Sequence, residues 1–566
     1  MIADALACIA LVLGVTFGVS RPLVDRFRLG PAESLVAGAG LSLVAAWAVA
    51  WAVFTAGFPL WGYWLLPVLA ASGIAAGWRG AARIAADPAA RDLALAQLIV
   101  TGWCVGWLAF VRSHSGAAWT GDAFEHWERA RFFLRDWPAG RLFIEIYEMP
   151  ARPPMANVLT AAFMRMTQAD YAHFQVIMAV LSSLAYLPVG LLAGRFGGRQ
   201  GARVAAAVLM VNPLFLQNAT YPWTKLPAVF LILSGLYFFL RVRDGDGSSR
   251  RAAVACALLL GGAVLTHYSA GPYVGVLALA WAAMWWRRRA EPGFARMTLS
   301  AFAAGACVLA PWLAWSVAHY GWHGTFLTNS SVTSLDRWQG NHLAKIALNL
   351  RDTLIPAQVR GFRGSLLRQT SPWGILRDQF FLVYQLNLPL ALGSVGCVAV
   401  LREALRAARG ARPADRLFWT LAVAGFVVLG LSVYGDREHY GMAHICLQSV
   451  ILLGLAFLAS RWGSLGRGWR LALVAGWTAD FCLGIALQFA VEDFALDRWL
   501  LPGRTLAEVA RTYTLVSQEN LREKIIAHHA YFADILATPP ALVLALLGAL
   551  LCLALLRARR APASPE

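Results

Sequence analysis

Long apolar blocks of roughly 18–22 residues recur along this chain, broken by short polar segments in which arginine predominates. Each block is long enough to cross ~30 Å of hydrocarbon as a helix. In lipid, only helices and closed barrels satisfy every backbone group internally. The pattern predicts spans near 1–20, 31–56, 60–78, 93–111, 172–194, 202–217, 226–240, 252–270, 272–286, 297–318, 380–401, 417–434, 441–460, 470–489 and 539–556. The expected fold class is therefore an all-α polytopic membrane protein with about 13–15 transmembrane helices. Composition agrees: of 566 residues, 59% are hydrophobic and 14% charged, more apolar surface than a soluble core could bury. Met1–Ser20 lacks a basic leader and a small-residue cleavage site, so it reads as the first span.

Net charge is +18, which in a soluble protein would suggest nucleic acid. Here its distribution matters more than its sum. The short basic segments, from Arg21/Arg26/Arg28 through Arg195/Arg199/Arg203 to Arg557/Arg559/Arg560, fall on alternate loops. The positive-inside rule makes that side cytoplasmic, with the N-terminus outside and the C-terminus inside. The charge is a topology signal, and no nucleic-acid partner is expected. All eight cysteines fall within spans and read as small packing residues. All eleven histidines and the three lysines fall on the outer side, where chemically versatile side chains therefore gather.

Three outer segments, about 112–171, 319–379 and 490–538, are too long for simple turns, and long ordered loops are more often functional than idle. A fourth, Tyr434–His444, is short but dense in polar groups. The inner loops hold no phosphate-cradling glycine motif, and Asp244-Gly245-Asp246-Gly247-Ser248-Ser249 reads as a flexible turn.

Within the first outer segment, Gly121-Asp122 starts a helix that Pro138 ends. Phe124, Trp127, Leu134 and Trp137 mark one side, which suits a juxtamembrane amphipathic helix at the interface. Asp122, Glu125 and His126 stand at i, i+3 and i+4, so their side chains can converge. Asp122-x-x-Glu125 also fits a capping box, a purely structural role. The chain returns through Tyr147-Glu148-Met149-Pro150-Ala151-Arg152-Pro153-Pro154. Further on come Asn218-Ala219-Thr220-Tyr221-Pro222-Trp223-Thr224-Lys225, Leu265-Thr266-His267-Tyr268 and Tyr434-Gly435-Asp436-Arg437-Glu438-His439-Tyr440.

In these motifs the sequence resembles the GT-C class of membrane glycosyltransferases, which includes protein O-mannosyltransferases and the bacterial transferases that add aminoarabinose to lipid A. In that class an acidic residue opens the first large outer loop and a basic residue before Pro-Pro returns the chain to the membrane. The resemblance covers about residues 93–460, the GT-C-like transmembrane core. Residues 1–92 are then an N-terminal extension of extra spans, and 461–566 hold the C-terminal spans with the outer loop 490–538. Many relatives carry two adjacent acidic residues, whereas Asp122 is followed here by Ala123. A second carboxylate, if needed, falls to Glu125.

The resemblance implies transfer of a sugar from a polyprenyl-phosphate donor to a glycan, lipid or protein acceptor outside the cytoplasm. A carboxylate deprotonates the acceptor hydroxyl and cations stabilise the departing phosphate. Asp122 is the candidate base, which implies inversion at the anomeric carbon, with Glu125 as the second catalytic carboxylate. Arg152, Lys225, His267, Tyr268, Arg437 and His439 are the candidates for binding the donor. Arg152 and Lys225 could equally snorkel to lipid headgroups, and Asp436-Arg437-Glu438-His439 could be a charge-paired turn. A divalent metal fits the chemistry, though no ligand spacing demands one, and adjacent His528-His529 diverge on a helix. The richness in Ala and Arg, with little Lys, points to a bacterial inner membrane. Two other classes compete: a lipid or anionic-solute transporter, for which Asp480 within a span is the one suggestive residue, and an O-antigen polymerase or ligase.

Overall fold

The structure, a computed structural model, describes residues 2–108, 121–138, 140–144, 147–245, 249–326, 342–360, 379–410 and 447–487. The expected spans at 417–434 and 539–556, the outer segment 490–538 and the turn Tyr434–His444 lie outside the described residues.

Helices dominate, and the sole strand-like pairing among the described residues is the bridge between Phe143 and Tyr147. In chain order they are α1 (Ile2–Gly18), α2 (Arg21–Asp25), α3 (Pro31–Thr55), α4 (Leu65–Ala76), α5 (Trp78–Ala86), α6 (Pro88–Leu108) and α7 (Gly121–Phe133). Then follow α8 (Met155–Met166), α9 (Tyr171–Ser183), α10 (Tyr186–Val211), α11 (Pro213–Thr220), α12 (Lys225–Asp244), α13 (Ser249–Thr266) and α14 (Ala270–Arg288). The last are α15 (Phe294–Phe326), α16 (His342–Leu354), α17 (Leu388–Ala391), α18 (Ser394–Gly410), α19 (Gln448–Arg461) and α20 (Arg467–Ile485). This is an all-α, multi-pass membrane protein. Among the described residues, five helical stretches are long and apolar enough to cross a bilayer, and α4 with α5, bent by 68°, makes a sixth as a broken pair. The expected spans near 93–111, 252–270, 272–286 and 470–489 are also helices, of 21, 18, 19 and 19 residues. Outward-facing Leu279, Leu299 and Phe302 are 67–75% exposed, a surface that suits lipid and not water.

Breaks in the helices follow local chemistry. The stretch Tyr171–Val211 is helical over 41 residues, about 60 Å and twice the membrane thickness. Gly198, at φ 63° and ψ −167°, divides it, in the Arg-rich loop where the sequence places the turn. The single span expected at 380–401 is instead broken: a π-helical turn at Phe381–Gln385, then α17, then α18. Gly393 supplies the positive φ of 96° that a β-carbon would strain. Asp480 of α20 accepts hydrogen bonds from the backbone N–H and hydroxyl of Ser394, at 2.9 Å each, and so fastens the start of α18. In the segment expected to be an outer loop, α8 is a helix with every residue but Arg165 buried.

The basic loops interlock at one end of the bundle. Arg83 reaches Asp25, Arg199 and Arg203 both reach Asp92, Arg195 pairs with Asp244, and Arg241 pairs with Glu33. Arg402 stacks over Trp469. At the other end an aromatic cluster of Trp51, Phe54, Phe132, Phe133, Trp312 and Trp315 ties α3, α7 and α15 together.

Close helix approach depends on glycine where α10 meets α19. A β-carbon on Gly197 would lie 2.4 Å from the Ser460 carbonyl oxygen. Gly197→Val is expected to cost about 1–3 kcal/mol by overpacking, read as a lower unfolding midpoint in detergent. Gly102→Ala, where nothing lies within 4 Å, is expected to leave the midpoint unchanged or slightly raised; equal loss in both variants would contradict this packing.

Candidate active site

The site is built on α7. Its sequence, GDAFEHWERARFF, alternates charge and aromatic surface, and the amphipathic pattern suggested a helix lying on the membrane. In the structure Phe124 through Ala130 are all buried, and the polar face turns into the protein. Tyr63 donates to the Phe133 carbonyl at 3.1 Å and Arg135 to the Val53 carbonyl at 3.0 Å, which holds the C-terminal end of α7 against α3.

Burying that polar face requires partners, because an unpaired buried charge is costly. Glu125 and Arg129, four residues apart and both fully buried, pair at 2.7 Å. The Arg129 Nε also donates to Glu125 Oε1 at 2.8 Å. The rest of the guanidinium reaches across to the return segment, donating to the Met149 carbonyl at 2.7 Å and the Glu148 carbonyl at 2.9 Å. Its carbon lies 4.4 Å from the centre of the Phe143 ring. Glu128 adds a second fastening, accepting from the Ile144 N–H at 2.7 Å. The far oxygen of Glu125 stands 3.3 Å from Arg152, so α7 and the return segment form one unit with Arg152 at its edge. Glu125 therefore faces inward, toward Arg129 and Arg152.

Asp122 stands half-buried in the first turn of α7. Burial pushes its carboxyl above the usual range; Arg152 opposes this, Glu125 adds to it, and Lys225 and the Trp223 indole oppose it. Lys225 opens α12 and rests its ammonium 3.5 Å from the centre of the Trp223 ring. Two histidines complete the recess. His126 packs its Nδ1 3.2 Å from Asn157 Oδ1. Burial first, then Arg152 and Arg129, hold it well below the ordinary histidine value. His267, at the end of α13, is held down by burial, then by Lys225, Arg152 and His126. Its Nδ1 accepts from the Ser269 N–H at 3.1 Å, so the neutral ring carries its proton on Nε2. Tyr268 donates to the Pro150 carbonyl at 2.8 Å, and burial pushes its hydroxyl up to about 12.

Six of the eight residues singled out in the sequence (Asp122, Glu125, Arg152, Lys225, His267 and Tyr268) thus fall in one cluster of interacting polar groups. Arg437 and His439 lie outside the described residues. Sequence reasoning missed Arg129, although its i+4 spacing from Glu125 was a usable signal. It also missed Asn157 and Trp223 as parts of the site; only their fold-level position reveals them. Among the described residues no group of three or more His, Cys, Asp or Glu side chains is placed to hold a metal ion.

The fold and this recess define a class: a multi-pass, all-helical membrane protein with a polar, mixed-charge site at one end of its bundle. No family model matches the sequence, and no curated protein matches it. Two solved structures are similar to it, both of ArnT from Cupriavidus metallidurans. The apo state is 16% identical with a TM-score of 0.46, and the undecaprenyl phosphate-bound state 15% with a TM-score of 0.47. Each similarity covers 81% of this chain and 76% of the other. ArnT is a lipid A aminoarabinose transferase of the GT-C class.

Arg129→Ala removes the nearer, fully buried partner of Glu125 and leaves it the 3.3 Å contact to Arg152; it is expected to cost about 3–5 kcal/mol, measured by unfolding in detergent. Replacing Glu125 and Arg129 together with Leu and Met is expected to recover much of that loss; a single Arg129→Ala variant as stable as wild type would contradict the pairing.

Proposed function

We propose that this protein is an integral membrane glycosyltransferase that moves a sugar from a polyprenyl-phosphate donor to an acceptor hydroxyl on the non-cytoplasmic face, with inversion. One observation carries the reading: a carboxylate with a raised proton affinity, Asp122, shares a recess with Arg152 and Lys225. Lys225 begins α12, and Arg241, one of the interlocked arginines, stands in its last turn. The 20 residues of α12 separate the two ends by about 30 Å, one hydrocarbon thickness. Basic loops mark the cytoplasmic side by the positive-inside rule, which supports an outward-facing site and an outside N-terminus; richness in Ala and Arg with few Lys supports a bacterial inner membrane.

In this reading Asp122 takes the proton of the acceptor hydroxyl as oxygen attacks the anomeric carbon. The bond from that carbon to the phosphate oxygen breaks, and the electron pair leaves with the lipid phosphate. Arg152 and Lys225 offset the charge that develops there, Arg152 by its two-pronged fork. His267 donates through Nε2–H and Tyr268 shapes the wall beside Pro150. Arg437 and His439 remain candidates for the same phosphate. Glu125, with Arg129 on one oxygen and Arg152 beside the other, acts on the site through those cations.

Asp122→Asn is expected to lower transfer from a radiolabelled polyprenyl-phosphate sugar by roughly 100-fold or more in proteoliposomes, with the protein still folded and inserted. The wild-type rate should rise with pH along an acid limb displaced above the ordinary carboxylate range, because burial raises the Asp122 pKa and the base must be ionised. Full activity in Asp122→Asn would remove it as the base. Substrate-dependent flux without covalent transfer would favour a transporter.

A further inference from the structure

We infer that α2 and α5 together form a docking surface for anionic phospholipid headgroups in the leaflet at the arginine-rich end of the bundle, with α5 lying in the membrane interface. The inference is independent of the reading of Asp122 as base.

The level of α5 follows from the helical stretch before it, Leu60–Ala76. Leu65, Val68 and Ile74 are exposed along that stretch, a surface that suits acyl chains. Trp61 and Trp64 are exposed at its start, and Trp78, 60% exposed, stands just past its end. Tryptophan gathers at the two interfaces of a bilayer. These three therefore mark both edges of the hydrocarbon, about 25 Å apart along the helix. At Gly77, between the two helices, the axis bends by 68°. So α5 leaves the span at headgroup level and turns most of the way into the membrane plane.

Helical spacing divides α5 into three faces. Gly77 and Gly80 are buried against α2, where a β-carbon on Gly80 would fall 2.0 Å from Asp25 Oδ1 and one on Gly77 2.3 Å from the Arg21 side chain. Trp78, Ala81, Ala82 and Ala85 form an exposed apolar stripe, and Arg79 and Arg83 an exposed basic one. That is the layout of an in-plane amphipathic helix, apolar stripe toward the acyl chains and guanidiniums at the phosphates. The turn at α2 adds more charge. Arg26 and Arg28 are exposed directly after it, and Arg28 is held at φ 54°, a left-handed backbone uncommon in residues other than glycine and recurrent at binding sites. The acidic groups nearby are engaged within the protein. Asp25 pairs with buried Arg21, and Asp87 accepts from the Ala90 N–H at 2.7 Å. Arg83 touches Asp25 at 3.4 Å with 62% of its side chain exposed. Such a pair is weak and leaves the guanidinium accessible to a phosphate. Four exposed arginines thus surround one inward-committed carboxylate. Charge complementarity selects an anionic phospholipid, whose phosphate suits the guanidinium fork, over a zwitterionic one that brings its own cation.

The test puts a photoreactive benzophenone amino acid in place of exposed Ala82, in the full chain held in nanodiscs of equal parts phosphatidylglycerol and phosphatidylcholine. Crosslinked adducts are identified by mass spectrometry. Phosphatidylglycerol is expected to exceed phosphatidylcholine among them roughly 5-fold or more. Arg79→Gln with Arg83→Gln is expected to bring the two lipids near parity. The total of lipid adducts should stay unchanged, because Trp78 and the alanines still hold α5 in the interface. Arg79→Gln alone, which leaves the Arg83–Asp25 contact in place, is expected to lower the excess and serves if the double variant does not fold. Arg250→Gln with Arg251→Gln, an exposed pair at the start of α13, should leave the excess unchanged. Adducts to protein without lipid overturn the in-plane placement of α5. A starting ratio near one overturns the headgroup site. So does an excess that survives the loss of Arg79 and Arg83, or one that falls equally with Arg250 and Arg251.

Discussion

The Glu125–Arg129 pair, sealed from solvent on α7, is the interaction on which the site depends. A guanidinium in that position is tolerable only if its donors are taken up, and they are: by Glu125 within the helix, and by the carbonyls of Glu148 and Met149 across the gap. That requirement converts two separate pieces of chain into one. Asp122 lies one turn before the pair and Arg152 three residues beyond the clamped carbonyls, so the pair brings the carboxylate and the cation of the recess to the same place. Glu125, read from the sequence as a second catalytic carboxylate, has its geometric explanation here.

The rest of the fold supplies contrast between the two ends of the bundle. At one end, arginines from three loops meet Asp25, Asp92, Glu33 and Asp244, tying loops distant in sequence. Individually such part-exposed pairs contribute little, but together they gather the basic loops on one side. Among the described residues, the charges around α7 at the other end are more deeply buried and differently partnered. Histidines stay neutral because burial and neighbouring cations oppose their protonation. A lysine rests its ammonium on an indole. Such a recess offers positive charge, neutral donors and one basic carboxylate without a large net field.

Much of this was legible in the sequence, for physical reasons. A transmembrane helix must be long and apolar, so most described spans stand where the blocks predicted them, and the turn at Gly198 falls in a basic loop. The recess was legible through its charged residues, since charges beside spans have few uses. What failed had weaker signals. The helix α8 is 12 residues long, too short to register as a span, and its burial depends on neighbours distant in sequence. The amphipathic pattern of α7 does not say which buried partners its polar face meets; Arg129 and the return segment supply them only once the chain is packed. Breakage of the 380–401 span turns on Gly393 and on Asp480, nearly ninety positions later, and no local pattern announces that pairing. Trp223 is one of 24 tryptophans, indistinguishable by type from those that only pack.

The most direct test of the account is a structure of the full chain in a lipid nanodisc with a short polyprenyl phosphate. The account predicts phosphate density within hydrogen-bond reach of Arg152 and Lys225, beside Asp122, with the isoprenoid running from there into the bilayer. Phosphate bound at the opposite, arginine-rich end, or no bound phosphate while Arg152 and Lys225 keep their present partners, would contradict it.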